Sequence, residues 1–408
     1  MPVGQYLAPD VYIEEVPGGA RPIQAVGTST AGFVGVAPTK AAHVGEAVAI
    51  PNWAEFVRQF VSAGDASTPL SHAVRGFFDN GGALCYVCNV GDNPITTGLD
   101  ALGRIDEIAI VAAPGMSDAA SYDALLSHCE SLQDRVCILD TPPTVTDLNQ
   151  LTQVATATPT PKRAKAADAD AAASDAAPAA SAGLRPRQSD GGFGAVYYPW
   201  ISVRDPLAPG SIVSVAPSGH IAGIWARSDA TRGVHKAPAN EIIRGALDVS
   251  QRLTRSEQGI LNPVGVNVIR YFSGEGIRVM GARTVADAAS EYRYLNVRRL
   301  FCMVEESIAK SMRWVLFEPN NIPLWKSIER DVTAFLIRLW RDGALQGATA
   351  DAAFFVKCDA ETNPQENIDD GIVTTLIGLA PVKPAEFVVF QITQDMSGAQ
   401  IQAVGGGK

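Results

Sequence analysis

The two ends of the chain constrain its fold more than any other feature. Residues Ala8–Val16 and Ala385–Gln394 each have the composition of a single strand, and linkers marked by proline and glycine separate them from the body. A strand without a local partner carries unpaired backbone donors and acceptors, so it must join another sheet or stay disordered. No catalytic constellation stands out between the two ends. The pattern therefore favours a subunit joined to its neighbours by added β-strands.

Eight residues of these terminal segments are the predicted contacts with neighbouring subunits. They are Val11, Tyr12, Ile13, Glu14, Phe387, Val388, Val389 and Phe390. Side chains alternate between the two faces of a strand. Val11 and Ile13 should therefore face one side of the added N-terminal strand, and the residues that alternate with them should face the other.

Composition argues against several classes of function. The chain has 408 residues, of which 47% are hydrophobic and 19% charged, as is typical of a globular protein with two or three domains. Its formal net charge of −10 argues against a nucleic-acid partner, because phosphate binding requires a concentrated basic surface. No apolar run approaches the roughly 20 residues that cross a bilayer, and the N-terminus lacks the pattern of a secretion signal. We therefore expect folding in the cytoplasm and no direct membrane insertion.

The first two thirds of the chain alternate strands and helices. Apolar runs at Ala83–Val90, Ile108–Ala112 and Val136–Leu139 predict strands, and a helical pattern over Tyr122–Leu132 separates the last two. This alternation is typical of a three-layer α/β domain. A hairpin is predicted over residues 267–280, where glycines mark the turn.

The C-terminal third differs in kind. Long helical patterns cover Tyr294–Ser311 and Leu324–Arg341, and a strand is predicted to begin at Ala353. These elements predict a separate α+β unit that is smaller than the α/β domain.

An alanine-rich segment interrupts the α/β region. Half of Ala155–Ala182 is alanine, while Pro159, Pro161 and Pro178 break any helix and no apolar stripe is available to bury. We therefore predict that residues 155–190 form a flexible surface insertion, a solvated loop in preference to a docking segment.

The spacing of the six cysteines argues against a disulfide or a metal site. Cys85 and Cys88 form the only C-x-x-C pair, and they lie in a predicted strand where residues three apart face opposite sides, about 10 Å apart. No second close pair or histidine cluster completes a zinc site. We expect buried, inert thiols and no cofactor.

Ser218 and His220 are the candidates for enzymatic chemistry. A serine hydrolase needs a nucleophile, a base, an orienting acid and oxyanion donors in a defined geometry, and adjacency in the sequence supplies none of these. We therefore favour a structural role for both residues. The alternative, a hydrolase that uses Ser218 or His220, predicts turnover that Ser218→Ala abolishes.

The helix predicted over Leu324–Arg341 carries the clearest surface pattern. At about 100° per residue, its apolar residues share one broad face. Lys326, Arg330 and Arg341, named here the basic stripe, fall on the other face, with Arg338 near the edge. A solvated helix face explains this pattern as well as a surface for an acidic partner does.

Several segments of the chain resemble the contractile tail sheath proteins of bacteriophages and of phage-tail-like injection systems. They are APDVYIEEV from Ala8, FFDNGGALCYVCNV from Phe77, AVYYPWI from Ala195, APSGHIAGIWARSDATRGVHKAPAN from Ala216, GARTV from Gly281, YLNVRRLFCMVEESI from Tyr294, WVLFEPNN from Trp314 and LWRDGALQG from Leu339. Each segment alone is a weak signal, whereas their common order over nearly the whole chain is specific. Within the predicted insertion, Ala155–Arg187 departs from the compact pattern.

The resemblance implies a structural subunit and not an enzyme. Such subunits stack as hexameric rings around a rigid inner tube and contract to drive the tube through a target envelope, while exchanged terminal strands keep neighbours linked. The implied partners are copies of the chain itself, six per ring, an inner tube protein, and baseplate and terminal cap proteins. Assembly in a bacterial cytoplasm is implied, either for a phage tail or for an injection particle. A static surface-assembly subunit is the other alternative, and its polymers would have one fixed length.

The resemblance also implies a division into domains. It assigns an N-terminal arm to residues 1–26, an outer α/β domain to 27–267, an inner α+β domain to 268–382 and a C-terminal strand arm to 383–408. The outer domain is implied to carry the subtilisin-like fold label without a protease site. On this division the basic stripe belongs to the inner domain, where it is the candidate surface facing the tube.

Overall fold

The computed structural model describes residues 22–156, 183–387, 390–395 and 398–403. Its strands are β1 (Ala31–Gly35), β2 (Ala47–Ile50), β3 (Cys85–Asn89), β4 (Ile110–Ala112), β5 (Val136–Asp140), β6 (Gly194–Tyr198), β7 (Ile201–Arg204), β8 (Ile212–Val215), β9 (Glu241–Ile242), β10 (Ala246–Val249), β11 (Val266–Phe272), β12 (Gly276–Val279), β13 (Phe354–Lys357), β14 (Leu376–Leu379), β15 (Phe390–Asp395) and β16 (Gly398–Ala403). Its α-helices are α1 (Trp53–Phe60), α2 (Pro69–Asp79), α3 (Ile95–Leu102), α4 (Ala119–Leu132), α5 (Ser218–Arg232), α6 (Arg255–Leu261), α7 (Leu295–Ser311), α8 (Ile322–Arg341), α9 (Ala350–Ala353) and α10 (Gln365–Asp369). In these ranges no helix has the length and apolar character that a membrane span requires.

A nine-stranded sheet forms the centre of the larger domain, in the order β2-β3-β1-β4-β5-β6-β11-β12-β9. The strands from β3 to β11 in this order run parallel, and the remaining three are antiparallel to their neighbours. Gly32 of β1 faces Leu102 of α3, whereas Gly35 faces Leu70 of α2, so helices cover both faces of the sheet. Strands covered on both faces are buried along their length, as β1, β4, β5 and β6 are. The predicted mixed α/β class is confirmed.

Three small antiparallel sheets accompany the large one: β10-β7-β8, β13-β14 and β15-β16. The hairpin predicted over 267–280 is confirmed by β11 and β12, in which Phe272 lies opposite Gly276. The two long C-terminal helices are confirmed as α7 and α8. Helix α8 begins two residues earlier than predicted because the Asn321 side chain caps it, accepting from the Leu324 N–H at 3.1 Å.

The described residues form two hydrophobic cores, and α7 lies between them. The first core fills the space between the large sheet and its helices, and the second is built from α7, α8 and the segment around β13. Leu295 and Cys302 of α7 point into the first core, whereas Leu300, Met303 and Val304 point into the second. Both cores therefore depend on the position of this one helix.

The domain boundary predicted at 267/268 falls inside a strand. Strand β11 spans Val266–Phe272 and pairs with both β6 and β12 in the large sheet. A division at that point would separate residues that share one sheet. The packing changes at α7, so the division that fits the structure lies between β12 and α7.

The C-terminal part of the predicted insertion belongs to the folded body. Residues 157–182 lie outside the described ranges, but residues 183–190 are described. Arg185 forms a parallel bridge with Val154, and an Arg187 guanidinium nitrogen lies 2.8 Å from Glu130 Oε2. Composition could not separate these residues from the alanine-rich stretch, because their contacts are made to distant parts of the chain.

Residues 22–26, predicted to lie outside both domains, pack against the second core. Ile23 is completely buried there, and its carbonyl accepts a hydrogen bond from Arg338 of α8. The Val26 N–H donates to Ser307 Oγ of α7 at 3.0 Å. Burial of one isoleucine side chain contributes about 1.5–3 kcal/mol, so the base of the N-terminal arm is fixed to the smaller domain.

A buried ion pair fixes α7 to α5. The Arg299 guanidinium donates to the two Asp229 oxygens at 3.0 and 2.6 Å, and the two side chains are only 3% and 5% exposed. The Thr28 hydroxyl donates to the same carboxylate at 2.6 Å, and the Thr28 carbonyl accepts from Arg299 at 2.9 Å. The Arg299 guanidinium also lies 4.8 Å from the centre of the Trp225 ring. Three distant segments of the chain therefore meet at one point.

We predict that Asp229→Asn strongly destabilises the subunit, because it leaves the Arg299 charge buried without a counter-charge. Breaking a buried pair in this way costs about 3–5 kcal/mol. Asp248→Asn is the matched control, since Asp248 pairs with Arg252 on the surface and such pairs contribute about 0–1 kcal/mol. Urea unfolding should give a much lower midpoint for Asp229→Asn than for the control. Equal midpoints for the two variants would contradict the role assigned to the buried pair.

Candidate interaction sites

Ser218 is completely buried at the first position of α5. Pro217, which precedes it, supplies no side-chain cap, and the Asp140 carboxylate at the end of β5 takes this role. Asp140 accepts from the Ser218 N–H at 3.0 Å and from its hydroxyl at 2.6 Å, and also from the Gly115 N–H at 3.0 Å. Burial raises the pKa of Asp140 to about 6 although these hydrogen bonds oppose the shift. The Ser218 hydroxyl thus donates its one hydrogen bond to a carboxylate that caps the helix.

His220 is a packed imidazole in the contact between α2 and α5. It is buried, and a Cβ atom added at Gly76 of α2 would lie 2.3 Å from its ring. Burial lowers the pKa of His220 to about 4, so the ring is neutral near pH 7. Because the Ser218 hydroxyl donates its hydrogen bond to Asp140, it does not donate to His220 as a serine nucleophile donates to its general base. The hydrolase hypothesis for these two residues is therefore wrong.

All six cysteines have buried, free thiols. Cys85 and Cys88 both lie on β3, and burial raises the pKa of Cys88 to about 11. In the part of the chain that the structure describes, no group of His, Cys, Asp and Glu side chains is arranged to hold a metal ion.

The basic stripe lies on the exposed face of α8. The Lys326 and Arg330 side chains are 63% and 51% exposed, and Arg341 is exposed at the end of the helix. The opposite face is buried in the second core, through Leu324, Ile328, Val332, Phe335, Leu336 and Leu339. The amphipathic pattern of the sequence is reproduced by the structure.

Two of the three stripe cations have acidic neighbours. Lys326 Nζ lies 2.6 Å from Glu329 Oε2, and Arg330 Nε donates to Asp331 Oδ1 at 2.9 Å. Asp331 is buried, because at 100° per residue it falls about 20° from Leu324 on the apolar face. The sequence therefore indicated a buried carboxylate beside the stripe, and a pattern based on the cations alone does not include it. The stripe presents less net positive charge than its sequence suggests.

Only part of the predicted terminal arms can be placed. Val11, Tyr12, Ile13 and Glu14 lie outside the described ranges, as do Val388 and Val389. Phe387 is highly exposed, and Phe390 is the first residue of β15.

The single C-terminal strand predicted over Ala385–Gln394 is wrong in its extent and its pairing. Strand β15 begins at Phe390 and pairs with β16, with Phe390 opposite Ala403. The sequence of β16, GAQIQA, consists of small and amide residues with one isoleucine, so its strand signal is weak. A two-stranded hairpin is at best marginally stable alone and still has two outer edges.

The β13–β14 sheet has open edges and exposed apolar side chains, and the sequence did not indicate this. Within the described residues these strands pair only with each other. Phe355 and Leu376 are 53% and 52% exposed, and the Phe355 ring covers Gly378, where an added Cβ would lie 2.1 Å from it. Unpaired edges beside exposed apolar residues are a template for another strand. Four-residue strands are too short to reveal such an edge through periodicity.

The alternation of backbone directions identifies which groups face these edges. The Ala380 N–H donates to the Ala353 carbonyl, so residue 380 points toward β13. The backbone N–H groups alternate in direction along β14. The Ile377 N–H, three residues before that of Ala380, therefore points away from β13 and lies on the outer edge. By the same register the Val356 N–H faces the outer edge of β13.

Two domain families, which together make up one kind of protein, match most of this chain. The phage tail sheath protein central domain matches residues 89–285, and the phage tail sheath C-terminal domain matches residues 287–395. The junction of the two matches lies between β12 and α7, where the packing changes.

Tail sheath proteins of several phages are similar in sequence. The chain is 27% identical over 192 residues to the tail sheath protein of Vibrio phage KVP40 and 30% identical over 195 residues to that of Salmonella phage ViI. Each alignment covers 46% of this chain, but only 28% and 30% of the respective relative. The aligned part of the chain therefore spans less than a third of the length of these relatives.

Solved sheath structures are similar over nearly the whole chain. The sheath complex of the extracellular contractile injection system PVC, in its contracted state, matches with 29% identity and a TM-score of 0.74, covering 97% of this chain and 99% of that chain. A chain in the baseplate structure of the anti-feeding prophage matches with 32% identity and a TM-score of 0.72, covering 96% and 99%. The chain therefore belongs to the phage tail sheath family, whose members are structural proteins and not enzymes.

Proposed function

We propose that this chain is the sheath subunit of a contractile particle and that it polymerises by exchanging β-strands with its neighbours. The observation that carries the proposal is the β13–β14 sheet, which has two free edges and exposed apolar residues within the described chain. Edges of this kind accept strands through backbone hydrogen bonds, and the exposed side chains add apolar contact.

The strands that fill these edges come from the terminal arms of neighbouring copies, residues 1–26 and 383–408. The backbone hydrogen bonds between an added strand and the edge that accepts it, here called a joint, are local. They do not require the two subunits to keep one relative orientation. Such joints persist while rigid bodies rotate and repack. The proposed contacts are those of the terminal segments: Val11, Tyr12, Ile13, Glu14, Phe387, Val388, Val389 and Phe390.

The polymer consists of six-membered rings stacked around an inner tube, and it shortens to drive the tube into a target envelope. Similarity to a sheath in the contracted state and to a baseplate assembly supports this proposal. Shortening draws on conformational energy stored in each subunit of the extended state, with no nucleotide hydrolysed by this chain. A baseplate and a terminal cap close the two ends, and assembly takes place in the bacterial cytoplasm. The larger domain, with its subtilisin-like fold label, lies outside and the smaller one inside.

The basic stripe faces the tube. Ile322, Lys326, Arg330, Ala334 and Arg341 follow one another at helical spacing on the exposed face of α8, which therefore combines apolar and basic groups. A partner with acidic and apolar surface complements such a face. Since the cations are exposed, salt should weaken the contact.

We predict that proline at an outer edge prevents polymerisation without unfolding the subunit. Ile377→Pro and Val356→Pro each remove one outward N–H, and each lost hydrogen bond weakens every joint by about 1 kcal/mol, in addition to the clash of the proline ring. Ile377→Ala and Val356→Ala keep the N–H and control for loss of the side chain. Sedimentation should show fewer polymers for at least one proline variant than for its alanine control. If both proline variants polymerise as their controls do, these edges accept no strand.

We predict that reversing the stripe loosens the tube. Arg330→Glu with Arg341→Glu should give empty or contracted sheaths in negative-stain micrographs, because the charges facing an acidic tube become repulsive. The control is Arg104→Glu with Arg255→Glu. It changes the net charge by the same amount as the stripe variant, on the exposed surface of the larger domain, and should leave the particles intact. Extended particles that retain the tube in the stripe variant would show that the stripe is only a solvated helix face.

A further inference from the structure

Arg283 is a buried arginine between β12 and α7 whose guanidinium holds a residue from the far end of the chain. Its Nε and Nη2 atoms donate to the two carboxylate oxygens of Glu386 at 2.9 and 2.5 Å. The side chains of this pair are 9% and 18% exposed. The remaining nitrogen, Nη1, donates to the Asn262 carbonyl at 2.9 Å. This two-pronged geometry fixes both the position and the orientation of the carboxylate.

The backbone of Arg283 is itself immobilised. The buried Asn267 side chain of β11 accepts from the Arg283 N–H at 2.7 Å and donates to the Arg283 carbonyl at 2.7 Å. Asn267 also donates to the Val196 carbonyl of β6, so the Arg283 backbone is connected to the large sheet. Gly281 permits this close approach, since a Cβ atom there would lie 2.7 Å from the Asn267 side-chain oxygen. Arg283 is therefore a rigid anchor and not a flexible surface cation.

Glu386 lies where the chain leaves the body toward the C-terminal hairpin. The Tyr294 hydroxyl is a further neighbour of its carboxylate, at 3.4 Å. Upstream, the Val382 carbonyl accepts from Asn296 at 3.0 Å, and the Val382 N–H donates to the Ala344 carbonyl at 3.2 Å. The next residue, Phe387, is highly exposed. The Arg283–Glu386 pair is thus the last ion pair in the described chain before β15.

We propose that Arg283 and Glu386 form a latch that fixes where and in which direction the C-terminal arm leaves its own subunit, so that the arm is presented to the neighbour. This role rests on the strand exchange proposed above. With the latch closed, three positions of the sequence separate Glu386 from β15, and with the latch open seven positions, counted from residue 383, separate the last fixed residue from β15. For a flexible linker longer than the span that it must cross, effective concentration falls roughly as the −3/2 power of linker length, so in that regime opening lowers it roughly three- to fourfold. Loss of a fixed direction adds to this effect.

Glu386→Ala opens the latch and tests this proposal. In the soluble full-length subunit, the NMR backbone order parameters of residues 385–387 should fall, while those of residues in β4 and β5 stay at about 0.85. The concentration needed for polymerisation should rise at least threefold. Glu386→Gln, which keeps the shape and one acceptor but not the charge, should fall between Glu386→Ala and the unchanged chain. Glu366→Ala, at an exposed glutamate of α10, is the control and should change neither quantity.

Unchanged order parameters at 385–387 in Glu386→Ala would overturn the latch, and so would lower order parameters without any change in polymerisation. A chain that ends at residue 387 separates this outcome from failure of the strand-exchange proposal. If that truncated chain polymerises normally, the C-terminal arm is not needed and strand exchange by this arm is wrong, together with the latch. If it fails to polymerise while Glu386→Ala behaves as the unchanged chain, the arm is needed and only the latch is wrong.

Discussion

The rest of the structure depends on α7 being held between two hydrophobic cores, and the Arg299–Asp229 ion pair is the contact that fixes it. A helix whose two faces enter different cores can shift only if both cores repack, which close packing opposes. The ion pair adds a specific position, because a displaced Arg299 would leave a charge buried without its counter-charge. Thr28, on the segment that leads to β1, is bound to the same pair. We therefore expect the two domains to move as one body.

In the proposed assembly, subunits that move as rigid bodies can change the length of the polymer only through the contacts between them. The N-terminal segment is anchored on the smaller domain through Ile23, and the C-terminal segment is anchored through Glu386 on Arg283, whose backbone is tied to the large sheet. In the proposed assembly, each terminal arm is fixed to its own subunit at one end and binds a neighbour with the other. The neighbour therefore stays bound while the relative orientation of the two subunits changes. The β13–β14 sheet, whose edges are open within the described residues, lies in the smaller domain, so in the proposed assembly the acceptor of strands belongs to the part nearest the tube.

Periodicity predicted the elements whose own residues determine them. The apolar face of α8, the strands around β4 and β5 and the β11–β12 hairpin follow from local spacing. Features that depend on contacts between distant residues were missed: Asp140 capping α5, the packing of Ile23 against α8, and the Arg283–Glu386 pair. Strand β16 was missed for a different reason, since its small and amide residues have little intrinsic preference for a strand. The positive charge of the basic stripe was overestimated because the pattern of cations does not include the neighbouring carboxylates of Glu329 and Asp331.

The most direct test of strand exchange is a cryo-electron microscopy map of the assembled particle at a resolution that traces the backbone. We expect the β13–β14 sheet to be extended by strands from other copies, with a terminal arm lying along at least one of its outer edges. The bodies, including α7 and the Arg299–Asp229 pair, should superimpose on the structure described here. A map in which β13 and β14 remain a two-stranded sheet, with every arm folded back on its own subunit, would contradict the account.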